Sequence, residues 1–196
     1  RFSIDGYIQR VEEAIAKSGS KIKASYVKSW NDNPFFLQSI AERMQAVRQG
    51  FGVSDWQDVE VIFSAHSLPE RILQSNDPYP QELRETCEGV AARLGLARWR
   101  FAFQSAGRTG EKWLGPELLE EMGRVKAEGY ARVLIAPIGF IADHLEVLYD
   151  IDVEAAQRAR ELGIEMRRIE SPNATPRLIE ALEDVVKAQR PHLMNN

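Results

Sequence analysis

The sequence predicts an α/β fold in which a mostly parallel sheet is flanked by helices. Short runs rich in Val, Ile, Phe and Ala alternate along the chain with longer segments whose apolar residues recur at helical spacing. This alternation indicates βαβ units, which place successive strands parallel to one another. The chain of 196 residues is 44% hydrophobic and 28% charged, a composition typical of a globular protein with a sizeable core.

The predicted elements follow in a regular order. A helix over 4–18 stops at Gly19, and a strand over 22–29 follows it. Later helices open near a proline and end near a glycine, as the preferences of these residues at helix ends predict. The remaining elements are a helix from Pro34 to Gly50, a strand over 59–65, a helix from Pro80 to Gly95, a strand over 99–104, a helix from Pro116 to Gly129, a strand over 132–137, an acidic helix after it, a short strand over 164–169 and a helix over 175–189.

Composition excludes several classes of function. A formal net charge of −4 without a Lys/Arg cluster argues against nucleic acid as a partner. No apolar run approaches the roughly 20 residues of a transmembrane helix. The single cysteine, Cys87, excludes an intrachain disulfide and a cysteine-ligated zinc or iron–sulfur site, and its helical context predicts core packing. These features fit a reducing cytoplasm.

Four carboxylates follow the strand over 132–137. On a helix of 3.6 residues per turn they share one stripe, with Leu145, Leu148, Tyr149 and Ala155 on roughly the opposite side. The four are Asp143, Glu146, Asp150 and Glu154. Like charges so placed repel, so the stripe favours a bound cation. A solvated helix face is the alternative, and the helix dipole accounts for acids in the first turn but not for those farther along.

Unusual residues also end two other predicted strands. His66 follows the strand over 59–65, and Ser105 and Trp113 follow the strand over 99–104. Parallel strands open at one edge of the sheet, where ligands bind, so these residues and the carboxylates are expected around one cleft. The structural alternatives are a hydrogen-bonded histidine at a strand end and a tryptophan that anchors a loop.

Three motifs resemble those of the ferrochelatases, enzymes that insert ferrous iron into a porphyrin. They are SAHSLP over 64–69, QS at 104–105 with WLGP at 113–116, and PIGFIADHLEVLYD over 137–150. The last motif is most similar to that of the Gram-positive enzymes, which act on coproporphyrin III. The resemblance therefore favours coproporphyrin III over protoporphyrin IX as the substrate.

The resemblance implies two Rossmann-like domains with the porphyrin between them. Residues 1–21 would be a remnant of the first domain, residues 22–170 the second domain with the metal site, and residues 171–196 a C-terminal helix that packs back toward the first. Roughly the first third of the family pattern is expected to lie outside this chain. Poor turnover by the chain alone and self-association through exposed helix faces are therefore expected. The alternative is a non-catalytic metal- or haem-binding module, or an inactive fragment of the chelatase.

The resemblance also implies roles for individual residues. His66 and Glu146 would face each other as catalytic residues and metal ligands, and Asp150 and Glu154 would extend the metal site outward. The implied porphyrin contacts are Trp113, Tyr7 and Ser105. Ferrous iron would be a substrate, with no tightly bound cofactor and no iron–sulfur cluster. A neutral imidazole binds a metal or accepts a proton, and the sequence leaves open which of these His66 does.

Overall fold

A four-stranded parallel sheet forms the centre of the molecule. The computed structural model describes residues 4–107 and 109–194. The strands lie in the order β2-β1-β3-β4, and each neighbouring pair is parallel. Their bounds are Glu60–His66 for β1, Arg100–Gln104 for β2, Arg132–Pro137 for β3 and Glu165–Arg168 for β4. The predicted α/β class with a parallel sheet is thereby confirmed.

Seven α-helices accompany the strands in the described residues, close to their predicted positions. None of them is long and apolar enough to cross a membrane. Short 3-10 turns occupy Trp56–Asp58 and Glu70–Ser75. The helices are α1 (Ile4–Ser18), α2 (Pro34–Gly50), α3 (Tyr79–Leu94), α4 (Leu118–Ala127), α5 (Leu145–Leu148), α6 (Ala156–Leu162) and α7 (Pro176–Met194).

The predicted strand over 22–29 is wrong. This segment is irregular, and Ile22 within it is 70% exposed. It runs past helices: the Ser25 hydroxyl donates to Gln189 Oε1 of α7 (2.6 Å), and Asn31 Nδ2 donates to the Glu82 carbonyl of α3 (3.1 Å). A β-rich sequence forms a strand only where another strand offers free backbone groups, and helices offer none.

Both faces of the sheet are covered, because alternate residues of each strand point to opposite sides. On one face Phe63 and Leu134 pack with α2, α3 and α7, and on the other Ile62 and Ile135 pack with α4 and α6. Cys87 lies in the first of these clusters and is fully buried, which confirms its core role. Burial raises the pKa of its thiol above the ordinary value.

The acidic helix differs from the straight α-helix that was predicted. Between α5 and α6 the residues Tyr149–Ala155 form a π-helical segment, in which each amide bonds to the carbonyl five residues back. Of the residues predicted on the side opposite the acids, Ala155 is buried, but Leu145 is 84% exposed and Tyr149 is 52% exposed. The buried positions recur every fourth residue instead: Val147, Ile151, Ala155 and Ala159.

A spacing of four residues explains the π-helical segment. In a straight α-helix each step of four advances about 40° beyond a full turn, so this apolar row would wind out of the core. A wider π turn makes the same step fall short of a full turn and cancels the drift. The acids at 146, 150 and 154 each precede a buried residue, so the same cancellation keeps them in line on the outer side.

Candidate metal and substrate site

His66 and Glu146 meet at the carboxyl edge of the sheet, as the sequence predicts. His66 is the last residue of β1 and Glu146 lies in α5, yet His66 Nε2 is 2.9 Å from Glu146 Oε1. The two side chains are 33% and 50% exposed, so the pair is open to a ligand. Two residues 80 positions apart in the chain thus form one site.

The other ring nitrogen of His66 determines what this pair can hold. Nδ1 makes a short contact with the Ser67 carbonyl oxygen. A carbonyl only accepts, so this contact assigns a proton to Nδ1. In the neutral ring Nε2 then presents a lone pair to the Glu146 carboxylate. Two acceptors 2.9 Å apart need a cation between them, so the pair is suited to hold one proton or one metal ion.

Three hydrogen bonds hold the backbone of His66 and Ser67 in place. Tyr79 Oη donates to the His66 carbonyl at 2.8 Å, and burial raises the pKa of Tyr79 to about 12, so this phenol remains a donor. The Ser67 amide donates to the Gln104 carbonyl at 2.7 Å, and its hydroxyl donates to the Leu114 carbonyl at 2.8 Å. Tyr79 was missed in the sequence, where its one signal is a position beside the predicted helix start at Pro80.

A glycine lets the loop after β3 reach the end of β1. A Cβ at Gly139 would lie 2.7 Å from the Ala65 Cβ and 3.1 Å from its Cα, so no larger residue fits. This close approach brings the loop that leads to Glu146 beside His66. A cavity of about 310 Å³ lies beside this loop, and its lining includes Ile4, Trp30, Tyr79, Ile138 and Gly139.

The outer acids are not gathered around His66. Asp150 accepts hydrogen bonds from Gln104 Nε2 (3.3 Å) and from the Ser105 hydroxyl. Glu154 is exposed, and it lies near enough to Glu117 at the α4 N-terminus for its charge to act there. Burial and the charges of Glu120 and Glu154 raise the pKa of Glu117, against the effect of two amide hydrogen bonds. Over the described residues, no group of three or more His, Cys, Asp and Glu side chains converges enough to hold a metal.

Trp113 has the structural role that the sequence left open as an alternative. Its ring lies against Gly107, where a Cβ would collide with it, and its Nε1 donates to Thr109 Oγ1 at 2.9 Å. A bridge to Pro69 ties it to the loop after His66. Trp113 is half-buried there, so a face for a porphyrin remains a prediction. Tyr7 lies on α1 and is 67% exposed, on a helix with no buried residue.

Asp143 is not part of the acidic row, contrary to the prediction. It precedes the helix, which begins at Leu145 with His144 as its cap, and its carboxylate binds Asn173 Nδ2 (3.0 Å), the Ser171 amide (3.2 Å) and Arg168 (3.2 Å). Burial alone would raise the pKa of Asp143, but these donors hold it below its ordinary value. Arg168 also binds both oxygens of Asp152, at 2.7 and 3.0 Å, and so fixes the acidic segment to β4.

We expect Asp143→Asn to destabilise the fold at neutral pH by about 1–3 kcal/mol, because buried donors lose a charged acceptor. A carboxyl whose pKa is lowered on folding stabilises the fold above its unfolded pKa, and this stability is lost as the pH falls through the folded pKa. The deficit of the variant should therefore shrink in acid below about pH 4. Urea unfolding across pH, with the exposed Glu161→Gln as control, measures it. A deficit independent of pH would contradict this account.

Comparison with known proteins agrees with the motifs. A protein-family model described as Ferrochelatase matches residues 1–190. The chain is 42% identical over 189 residues to a Ferrochelatase of Herpetosiphon aurantiacus, covering 96% of this chain and 62% of that protein. It is 41% identical over 186 residues to a Coproporphyrin III ferrochelatase of Geobacillus kaustophilus, covering 94% of this chain and 58% of that protein. It is 38% identical over 189 residues to a Ferrochelatase of Thermus thermophilus, covering 96% of this chain and 59% of that protein. The chain thus spans less than two thirds of the length of these relatives.

Proposed function

Because this chain belongs to the ferrochelatase family, we propose that it supplies the metal-delivery site for insertion of ferrous iron into a porphyrin in haem biosynthesis. The observation that carries the proposal is the His66–Glu146 pair, two acceptors 2.9 Å apart that need a cation between them. Coproporphyrin III is the proposed porphyrin, on the strength of the DHLEVLYD motif and of the Geobacillus kaustophilus relative's name.

In the proposed mechanism the His66–Glu146 pair first binds the ferrous iron and then a proton. Imidazole nitrogen and carboxylate oxygen are both donors to ferrous iron, and two protein ligands bind it loosely enough for release. Insertion joins the metal to the macrocycle and expels two pyrrole protons. As the iron leaves, the lone pair of His66 Nε2 is free to take one of these protons, with Glu146 stabilising the imidazolium. The second proton passes outward, and Asp150 and Glu154 are the next acids along the helix.

The alternative is a non-catalytic module that binds a metal or haem without turnover. Continuous absorbance detects turnover, which the alternative excludes, after the chain is mixed anaerobically with coproporphyrin III and excess Zn²⁺ or Fe²⁺. Stoichiometric metal binding that Glu146→Gln removes and Glu161→Gln retains would support the proposed site. Turnover is expected to be slow or absent in the chain alone, and robust multiple turnovers would refute that expectation. Metal binding unaffected by Glu146→Gln would refute the site.

The two terminal helices carry the proposed contacts with another polypeptide surface. On α7, Leu178 and Ala181 are buried against α2, while the opposite side exposes apolar residues. We propose that residues 1–21 and 171–196 pack on a domain like the first of the family, and that the chain is cytoplasmic. The exposed apolar residues of the two helices are Ile4, Tyr7, Val11, Ile179, Leu182 and Val186.

Self-association through these faces is the expected behaviour of the isolated chain, because exposed apolar patches promote association. Val186 is 65% exposed, and Val186→Lys should shift the chain toward monomer. Multi-angle light scattering over a concentration series measures this. Leu73→Lys changes an apolar residue that is 51% exposed elsewhere and should leave the mass unchanged. A strictly monomeric unaltered chain would contradict the expectation.

A further inference from the structure

Two fully buried polar side chains inside the sheet connect to Asp150. Ser64 of β1 is 0% exposed and Gln104 of β2 is 2% exposed. The Ser64 hydroxyl donates to Gln104 Oε1 at 3.0 Å, and Gln104 Nε2 donates to Asp150 Oδ2 at 3.3 Å. Burial of a hydroxyl and an amide is unfavourable unless both are paired, so this row of hydrogen bonds has to be satisfied as a unit.

The Asp150 carboxylate determines which way the Gln104 amide faces, because a carboxylate only accepts, whereas the Ser64 hydroxyl can donate or accept. An amide has one accepting end and one donating end, and the two are easily exchanged by rotation. With Ser64 donating to Oε1, the NH₂ group is directed at Asp150. The rotated amide would instead place its oxygen against the Asp150 carboxylate, which is repulsive. Ser64 holds the other end of this amide from the interior of the sheet, so it acts on Asp150 by anchoring Gln104.

Ser105 adds a second donor at the cost of backbone strain. Its φ is 61°, in the left-handed region that residues with a Cβ seldom adopt. In this conformation its hydroxyl donates to Asp150 Oδ2, the same oxygen that Gln104 contacts. Ser105 was predicted to contact the substrate, which stays a prediction, and in this structure its hydroxyl donates to Asp150.

Convergence on one oxygen leaves the other one unused. Within the described residues, the donors to Asp150 are Gln104 and Ser105, and both contact Oδ2. We propose that Ser64, Gln104 and Ser105 are positioning residues that hold Asp150 by Oδ2 and present Oδ1 as the cation ligand that follows Glu146. Asp150 lies four residues after Glu146 on the row that the π-helical segment keeps in line. This inference rests on the proposed function for its cation.

The hydrogen-bond row is tested without any metal. The side-chain amide of Gln104 gives a ¹⁵N–¹H signal that Gln104→Met identifies by its loss. Ser64→Ala and Asp150→Asn should each shift this signal, because the first removes the partner of the amide oxygen and the second replaces the charged acceptor of the NH₂ group with a neutral amide. Ser39→Ala is the matched control, since Ser39 is 3% exposed and donates to the Phe36 carbonyl within α2. A Gln104 signal that stays in place in both Ser64→Ala and Asp150→Asn would show that these hydrogen bonds do not form.

Cation binding tests whether the hydrogen bonds from Ser64 and Gln104 position Asp150 for a cation. The probe is Zn²⁺, measured by calorimetry on the whole chain. Ser64→Ala and Gln104→Met should each weaken Zn²⁺ binding by about 10-fold, the loss typical of residues that orient a ligand. Ser39→Ala should bind as the unaltered chain does. Gln104→Met combined with Asp150→Asn should bind no more weakly than Asp150→Asn, because both changes act through one carboxylate.

The outcomes separate the two proposals. Unchanged Zn²⁺ affinity in Ser64→Ala and Gln104→Met, or additive losses in the double variant, would overturn the positioning role. An unaltered chain that binds no Zn²⁺ would overturn the proposed function, while the expected Gln104 shifts would still establish that the row holds Asp150.

Discussion

His66→Ala should abolish binding of a divalent metal at the His66–Glu146 pair and leave the fold intact. The change removes the nitrogen that faces Glu146 at 2.9 Å. Loss of a residue that only orients a ligand weakens metal binding about 10–100-fold, so loss of the ligand itself should cost at least the upper value. Stability should change little, because the side chain is one third exposed and lies at the end of its strand. Zn²⁺ calorimetry and thermal unfolding of the same sample measure the two effects.

His144 provides the control for this change. It is a second histidine beside the acidic helix, where its Nδ1 accepts from the Val147 amide at 3.4 Å as the N-cap of α5. His144→Asn keeps a capping side chain and removes the imidazole, so Zn²⁺ affinity should be retained. A folded His66→Ala chain that binds Zn²⁺ as tightly as His144→Asn would show that the histidine is only structural.

Arg100→Met is expected to destabilise the fold by about 3–5 kcal/mol, the cost of removing one partner from a buried ion pair. Its guanidinium contacts Glu60 at 2.7 Å, Glu121 at 2.8 Å and Glu128 at closer range. Burial alone would lower the pKa of Arg100, but hydrogen bonds to the three carboxylates raise it. Glu60 is 2% exposed, and Arg98 is its other cationic neighbour, at 3.3 Å. For a chain of this size the melting temperature should fall by about 6–20 °C.

Two further variants identify the cause. Arg124 is 58% exposed and contacts the same Glu121 at 2.9 Å, so Arg124→Met should cost only about 0–1 kcal/mol. Glu60→Met added to Arg100→Met should restore part of the stability, because no unpaired carboxylate then remains in the interior. If Arg100→Met unfolds no more easily than Arg124→Met, the buried network is not a principal source of stability.

The sequence predicted the elements whose signals are local. Helix starts at Pro34 and near Pro80, the parallel strands and the gathering of His66 and the acids at one edge follow from periodicity, end residues and the common edge of a parallel sheet. The direct contact of His66 with Glu146 was implied by the family resemblance. The strand over 22–29 failed because strand formation depends on a neighbour that lies far away in the chain. The role of Asp143 failed for a similar reason, since its partners Arg168 and Asn173 lie 25 and 30 residues away.

Other features left a signal that periodicity at 3.6 residues overlooks. The row of Val147, Ile151 and Ala155 repeats every four residues, which a straight α-helix cannot keep in the core. The buried Ser64–Gln104 contact left a weaker signal in the sequence, because a serine and a glutamine on neighbouring strands form no recognisable pattern. Such contacts depend on strand register, which here pairs His66 with Gln104.

The π-helical segment makes this site tolerant of a shorter chain. A π turn holds an additional residue relative to an α turn, so deleting one residue within 149–155 would allow an unbroken α-helix. Glu154 would then follow Glu146 by seven residues instead of eight, which on an α-helix is about 20° short of two full turns. Ala159, at 3% exposure, would follow Val147 by eleven residues, about 20° past three full turns, and so would stay on the core face. A deletion that spares the acidic and buried side chains would therefore leave both rows aligned, whereas the same deletion in a straight α-helix would rotate everything after it by about 100°.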